Sequence, residues 1–455
     1  MEKFDAIVIG FGKGGKTLAA ALAAQGSKVA LVEKSDKMYG GSCPNVGCVP
    51  TKFLVNRAEL SRIKELPDFE RKAAFYAGAV RDKKRLREKI LDKMFNIFDS
   101  DPQITLYTGT AKFTSPSEIE VTGRDYSASL TAEKIVIDTG ALPFIPPIEG
   151  LAECPVAYSS EGMLELEKLP RRLVVIGGGN IGLEFASIYR RFGSEVTVLQ
   201  DLPGLFPNED EDVAAAVTKT LEEQGINFVF GVKILSVENE SGGAVVKYAA
   251  GGKEASVKCD ALLVSTGRVP NTGELNLQAA GVETTPRGAI VVDERMRTTA
   301  PGIWAIGDAA GSPQFTYISQ DDARIVLDDF NGGDRKSTGR NIPYSVFLFP
   351  PLSRVGLTEK EALAKGYEIK SAVMPVTGLP RSHVLGSYTG MLKAVVDAKT
   401  GLILGAALYC EESHEMINIV TLAMNAKLPY SALRDMIFTH PVMSEALNDL
   451  FSAVK

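Results

Sequence analysis

The stretch Phe4-Asp5-Ala6-Ile7-Val8-Ile9-Gly10-Phe11-Gly12-Lys13-Gly14-Gly15 decides how this chain folds. Phe4 to Ile9 is a short apolar run rich in β-branched side chains, as expected of a buried parallel strand. The glycines form a turn. The Ala/Leu-rich segment from Lys16 to Gln25 predicts a helix, which Gly26 stops. Lys28-Val29-Ala30-Leu31-Val32-Glu33 reads as a second strand. Strand, turn, helix and strand together make a βαβ unit of about 30 residues.

A GxGxxG turn gains meaning only after a strand, before a helix, and with an acid about 20 residues on. All three conditions hold here. Gly10 permits the tight turn, Gly12 lets the backbone approach a pyrophosphate, and Gly15 lets helix and strand pack closely. The helix N-terminus offers unpaired N–H groups and partial positive charge to phosphates. Glu33 stands 23 residues after Gly10, where a carboxylate can bind a ribose diol.

The same grammar returns 167 residues later, with strand Leu173–Ile176, glycines Gly177, Gly179 and Gly182, helix Leu183–Phe192 and strand Glu195–Leu199. The equivalent of Glu33 is Gln200, which bonds a ribose hydroxyl without repelling a 2′-phosphate. No Lys or Arg lies between Arg191 and Lys219 to attract one, so NADH is slightly favoured and NADPH tolerated. Two dinucleotide units in one chain point to a bound flavin and a diffusing nicotinamide. The run ending Ile306-Gly307-Asp308 supports this, because an Asp at a strand's end can bind a ribityl hydroxyl of FAD.

The rest of the chain fills in around these units. Its 455 residues suggest two to four domains. Residues 57–98 are charged and mostly helical, broken at Pro67-Asp68, and the run Arg81–Lys89 reads as a solvated helix face. Residues 104–137 read as short strands, and from Pro343 a separate C-terminal domain is expected. The expected class is α/β, with two Rossmann-like domains and a C-terminal α+β domain. A net charge of −6 gives no electrostatic footprint for nucleic acid. No apolar run reaches the ~20 residues of a membrane span. The start MEKFDAIVIG shows no signal peptide, and a cytoplasmic location is expected.

There are five cysteines, an odd and low count that fits a reducing compartment. Cys154, Cys259 and Cys410 are isolated and read as structural. Cys43 and Cys48 lie in GGSCPNVGCVPTK, just after Glu33 and so beside the flavin turn. A Cys-x4-Cys on a turn entering a helix lets the sulfurs meet in a small ring, and a helix N-terminus depresses a thiol pKa. The three His all lie beyond residue 380, so no metal site is expected around the pair. Near the C-terminus, Phe438-Thr439-His440-Pro441-Val442-Met443-Ser444-Glu445 supplies a His and a carboxylate, an acid–base pair of the type a dithiol reductase needs.

Taken in order, GFGKGG, GGSCPNVGCVPTK, GGGNIGLEFA, STGRVPN, IWAIGDAAG and THPVMSE resemble the FAD-dependent pyridine nucleotide–disulfide oxidoreductases. That family includes dihydrolipoamide dehydrogenase, glutathione reductase and mercuric reductase. FTYISQDDARIV, PYSVFLFPPLSRVGLTE, SHEMINIV and FTHPVMSEALNDLFS are similar to its bacterial reactive-chlorine-resistance branch, which reduces hypothiocyanous acid and to which copper(II) reduction has been attributed. The resemblance implies an FAD domain over 1–148 and 269–337, an NAD(P) domain over 149–268 and a dimerisation domain over 338–455.

It also implies roles. Cys48 would face the flavin and Cys43 would meet substrate. His440 and Glu445 would serve the other subunit's disulfide, making the protein a homodimer. Lys52 and Glu184 would pair near the flavin. Lys34, Gly41, Ser42, Ala111, Thr139 and Gly140 would lie along FAD with Gly10, Gly12, Gly15, Glu33 and Asp308. Val232 and Gly267 would line the nicotinamide nucleotide site with Gly177, Gly179, Gly182 and Gln200. Electrons would pass from NAD(P)H through FAD and the Cys43–Cys48 disulfide to a small oxidant. The chain ends without the Cys pair of mercuric reductases, and Phe438 stands where dihydrolipoamide dehydrogenases carry a second His. Those two activities remain alternatives, as do copper(II) reduction and a flavin-containing metal or redox sensor.

Overall fold

Buried apolar strands between helices organise residues 1–455, all of which the computed structural model of the chain describes. Strand Glu2–Ile9 lies inside a seven-stranded sheet. It pairs in parallel with Val29–Glu33 on one side and Ser127–Ile137 on the other. Ile7, Val8, Ala30 and Leu31 are fully buried, which is why these strands read as unbroken apolar runs. Ile104–Thr108 extends one edge. The long strand Ser127–Ile137 pairs with Glu118–Thr122 over its first half and with Ile303–Ala305 over its last residues. The chain therefore comes back to its first sheet near residue 305, after building a second.

That second sheet has five parallel strands, in the order 226–229, 195–199, 172–176, 261–264, 157–158. Its register repeats the first unit, with Ile9 opposite Val32 and Ile176 opposite Leu199. The helices after the glycine turns run Lys13–Ala24 and Asn180–Phe192. Each begins a few residues before its apolar signal, because the turn glycines already sit in the first turn. Gly193 ends the second helix with φ +104°, a left-handed closure natural for glycine.

Two further helices, Cys48–Ile63 and Phe69–Asp99, join the units, and Cys48–Ile63 also packs against Asn180–Phe192. The charged run Arg81–Lys89 departs from the expected solvated face at one position. Lys83 is fully buried, donating to the Leu164 carbonyl and to Glu165 (2.9 Å). Helical periodicity turns that one lysine inward, and a carbonyl and a carboxylate satisfy its charge. Residues 344–409 form a five-stranded antiparallel sheet. Helices Ser413–Asn425 and Ala446–Ser452 cover it through Ile417, Val420, Leu447 and Phe451. His383 lies in the short helix Pro380–Leu385. No helix is long and apolar enough to cross a membrane.

Candidate redox site and nucleotide turns

Gly10 takes φ +114°, and a Cβ there would lie 2.2 Å from the Asp138 carbonyl oxygen. Only glycine permits that approach of turn and neighbouring strand. The Asp138 carboxylate then accepts from the Gly15 N–H (2.7 Å), and Ser319 Oγ donates to it (3.0 Å) while accepting from the Gly14 N–H (3.1 Å). Full burial pushes Asp138 up to about 7. Glu33 accepts from the Phe11 N–H and the Ser35 N–H, both at 3.2 Å, and burial raises it to about 7 as well. Asp308 is the second residue of the short turn Gly307–Ala310 and is raised chiefly by burial, with Arg268 opposing.

The cysteine loop leans on this turn. Gly41 has φ +84°, and a Cβ on it would come within 2.6 Å of the Gly12 Cα, so two glycines are needed where the loops touch. Asn45, buried, ties the loop down by donating to the carbonyls of Tyr39 and Gly41, each at 2.9 Å. Ser42 opens the five-residue helix that holds Cys43, and Cys48 opens the next. Both sulfurs are free thiols. Cys48 Sγ lies 3.4 Å from Thr316 Oγ1, at the start of helix Thr316–Phe330.

Two helix N-termini therefore converge on Cys48, an arrangement that favours a thiolate. The hydrogen bond from Cys43 is the main cause that pulls Cys48 down to about 6, with Thr316 and the Lys52 charge helping against desolvation. The same bond and burial push Cys43 the other way, with Lys16 opposing. The two sulfurs are thus pushed in opposite directions, Cys48 towards thiolate and Cys43 towards thiol.

Lys52, one helical turn beyond Cys48, forms a 2.6 Å ion pair with the buried Glu184. The Phe347 N–H donates to the other Glu184 oxygen (2.9 Å), and the Lys52 ammonium lies 4.7 Å from the Phe347 ring centre. Residues from all three parts of the chain meet there.

In the second unit Gly177 has φ +101° and packs on the Ser265 carbonyl (2.6 Å to an added Cβ). Ser265 stands where Asp138 stands in the first unit, each N–H bonding the carbonyl at the end of the neighbouring strand. Gln200 Oε1 accepts from the Gly178 N–H (2.7 Å), as Glu33 does from Phe11. The Cβ positions of Gly179 and Gly267 face open space, whereas a Cβ on Gly182 would strike the Gly177 carbonyl (2.1 Å). The Val232 side chain is buried with Leu199 and Val264, and its N–H bonds the Gln200 carbonyl (3.0 Å).

His440 is exposed, its Nδ1 2.9 Å from Glu445. The short turn Met443–Glu445 ahead of helix Ala446–Ser452 presents the carboxylate. Nothing in the same chain joins this pair to the thiols, whose polar neighbours are Thr316, Lys16 and Lys52.

The first unit fits a bound dinucleotide. The buried Thr139 Oγ1 has no partner, Gly140 at φ +71° has nothing beside its Cβ position, and the helix after Gly12 has no capping side chain on Gly12. Ala111 is buried in the strand Thr110–Ser115, and Lys34 pairs with Glu274 at the surface. The second unit offers the free N–H groups of Asn180–Phe192 beside an open Gly179. Thr316, Asp138 and Ser319 escape a reading of the sequence. Asp138 follows the strand Ser127–Ile137 as Ser265 follows Ala261–Val264, and that shared position is the signal that could have found it.

Two dinucleotide turns, a dithiol and a His–Glu pair on a third domain define a flavoprotein disulfide reductase. The pyridine nucleotide-disulphide oxidoreductase model matches residues 4–323, its dimerisation domain matches 342–451, and the chain belongs to that family, whose cofactors are FAD and NAD(P)H. It is 45% identical to the pyridine nucleotide-disulfide oxidoreductase RclA of Escherichia coli (strain K12), with both chains covered in full. The dihydrolipoyl dehydrogenase of Thermus scotoductus is 35% identical, covering 100% of this chain and 98% of that protein. A solved structure, the Cu(II) complex of the HOCl-induced flavoprotein disulfide reductase RclA from Escherichia coli, superposes with a TM-score of 0.93 at 44% identity, over 100% of both chains.

Proposed function

We propose that this protein uses NAD(P)H to keep Cys43 and Cys48 reduced, and that the pair reduces a small electrophilic oxidant, hypothiocyanous acid, to thiocyanate. The observation that carries the reading is the placement of the pair, Cys43 and Cys48 at the starts of consecutive helices beside the first glycine turn, with Cys48 Sγ 3.4 Å from Thr316 Oγ1. Similarity to a reductase described as HOCl-induced supports the oxidative-defence setting. FAD, when bound along residues 1–148 and 269–337, supplies two-electron transfer between the nicotinamide held by 149–268 and the disulfide.

The residues of this chain do the rest. Cys43 passes its proton to the partner's His440 and attacks the sulfur of hypothiocyanous acid, forming a Cys43 Sγ–SCN adduct and expelling hydroxide. The partner's His440, held in orientation by its glutamate, protonates the hydroxide to water. Cys48 then attacks Cys43 Sγ, thiocyanate leaves, and the disulfide closes. Dithiol plus oxidant become disulfide, thiocyanate, water and one proton.

The homodimer is supported by the dimerisation-domain match over 342–451. Within that domain Met436 and Ile437, the latter 94% exposed and three residues before His440, are apolar side chains that their own chain leaves uncovered. An NAD(P)H oxidation panel of hypothiocyanous acid, lipoamide, oxidised glutathione, Hg(II) and Cu(II) tests the reading. The first is expected to turn over fastest, and Cys43→Ser to abolish it. Faster lipoamide turnover makes the protein a dihydrolipoamide dehydrogenase instead. Copper binding that depends on both cysteines, without turnover of any oxidant, makes it a sensor.

A further inference from the structure

The dimerisation domain also touches the redox helix of its own chain. Helix Cys48–Ile63 and helix Asn180–Phe192 of the second nucleotide unit meet in two ion pairs. Lys52 pairs with Glu184 at 2.6 Å, and Arg191 pairs with Glu59 at 2.6 Å. Glu59 lies two helical turns beyond Lys52, and Arg191 two turns beyond Glu184, so each helix uses a single face. The pairs are crossed, with the cation on the redox helix in one and on the nucleotide helix in the other. Over both lies Phe347-Leu348-Phe349 of the dimerisation domain. The Phe347 ring centre is 4.7 Å from the Lys52 ammonium, and the Phe349 ring centre is 4.1 Å from the Arg191 guanidinium. The Phe347 N–H donates to the Glu184 oxygen that Lys52 leaves free (2.9 Å), and the Gln224 side chain donates to the Phe349 carbonyl. Val346 and Leu348 are buried in one apolar cluster with Leu54 and Ala58 of the first helix and Leu183 and Ala186 of the second.

We propose that Phe347 is a positioning residue of the redox site: it holds the Lys52–Glu184 pair in place, while Phe349 on Arg191 keeps the two helices in register around it. The dimerisation domain thereby completes the site of its own subunit, a task separate from pairing with a second copy. A lysine on a flexible four-carbon stem samples many rotamers when it is free. Here a carboxylate and an aromatic face leave its charge one place to rest. Glu184 is equally confined, because each of its oxygens is bound. The His414 ring, 5.3 Å from that of Phe347, supports it. A charge already in position needs no reorganisation when electrons move past it.

This role rests on Lys52 lying beside the flavin, as the family resemblance implies. Its test follows flavin reduction, not oxidant turnover. Anaerobic holoenzyme is mixed with NADH over a concentration series, and flavin absorbance gives the limiting reduction rate and the half-saturating NADH concentration. Phe347→Leu is expected to lower the limiting rate about tenfold, the scale of a desolvated cation–π contact, with half-saturation unchanged. Phe347→Tyr keeps the ring and is expected to restore the rate. In a Lys52→Met background, Phe347→Leu is expected to add nothing, because Phe347 acts through Lys52. A wild-type limiting rate in Phe347→Leu, or a full tenfold loss on top of that of Lys52→Met, overturns the role given to Phe347. If Phe347→Leu loses FAD, Phe347→Met is used and the same loss is required of it; flavin loss from both overturns the role as well. A wild-type rate in Lys52→Met overturns the placement of Lys52 beside the flavin, whatever Phe347→Leu shows.

Discussion

The two glycine turns share a backbone and differ in the side chains behind it. In the first, Asp138, Ser319 and Glu33 bond the N–H groups of Gly15, Gly14 and Phe11. In the second, Ser265 and Gln200 hold the equivalent places, and the first N–H groups of the helix meet no side chain. A Cβ on Gly12 would meet the Asp138 carboxylate at 2.7 Å, but one on Gly179 meets nothing. The first turn is a caged, acid-lined cradle suited to a cofactor that stays. The second is neutral and open, suited to a nucleotide that comes and goes.

The sharpest way to break this comparison is a matched pair of substitutions. Gly12→Ala forces a buried carboxyl to move and is expected to yield protein largely without FAD, measured by the flavin to protein absorbance ratio. Gly179→Ala fits, keeps FAD, and is expected to raise the KM for NADH about tenfold, roughly 1.4 kcal/mol of lost phosphate contact. Equal flavin loss in both would show that the cradles do not differ.

Asp138→Ala comes next. It strands the buried Gly15 N–H and Ser319 hydroxyl, so about 1–3 kcal/mol of apoprotein stability should be lost in urea unfolding. Ser265→Ala removes only a hydroxyl donating to two carbonyls and should cost about 1 kcal/mol. Gln200→Glu sharpens the comparison from the other side. A carboxylate there repels a 2′-phosphate, so the NADPH to NADH ratio of kcat/KM should fall about tenfold, the size of a 1.4 kcal/mol penalty.

A further expected effect is a pH slope. Burial raises Glu33 from 4.5 to about 7, so the folded chain binds its proton more tightly than the unfolded one does. Its contribution is fully present below pH 4.5 and is lost as pH rises towards 7, after which stability is flat. Glu33→Gln apoprotein should therefore gain on wild type between pH 5 and 7 in thermal melts. A difference constant across that range would mean that the Glu33 carboxyl is not shielded from water in the apoprotein.

Much of this site is legible in the residues. Glycine spacing after a β-branched run dictates a strand–turn–helix, since only glycine takes φ +114° against the Asp138 backbone. The cysteines announce redox chemistry by their types and spacing. Lys83 shows where such reading stops, because a charged run says nothing about which of its members a neighbouring carbonyl will bury. Thr316 is equally silent, lying 268 residues from Cys48 and reaching it only because helix Thr316–Phe330 starts there.

The sequence by itself determined the pair of nucleotide units, the dithiol and the His–Glu couple, because each is local and its geometry follows from a few adjacent residues. Only the tertiary structure decided what surrounds the two sulfurs. Thr316 comes to Cys48 from a distant helix and Glu184 to Lys52 from the second nucleotide unit, and the bias that they impose is a property of distances between elements rather than of any one segment.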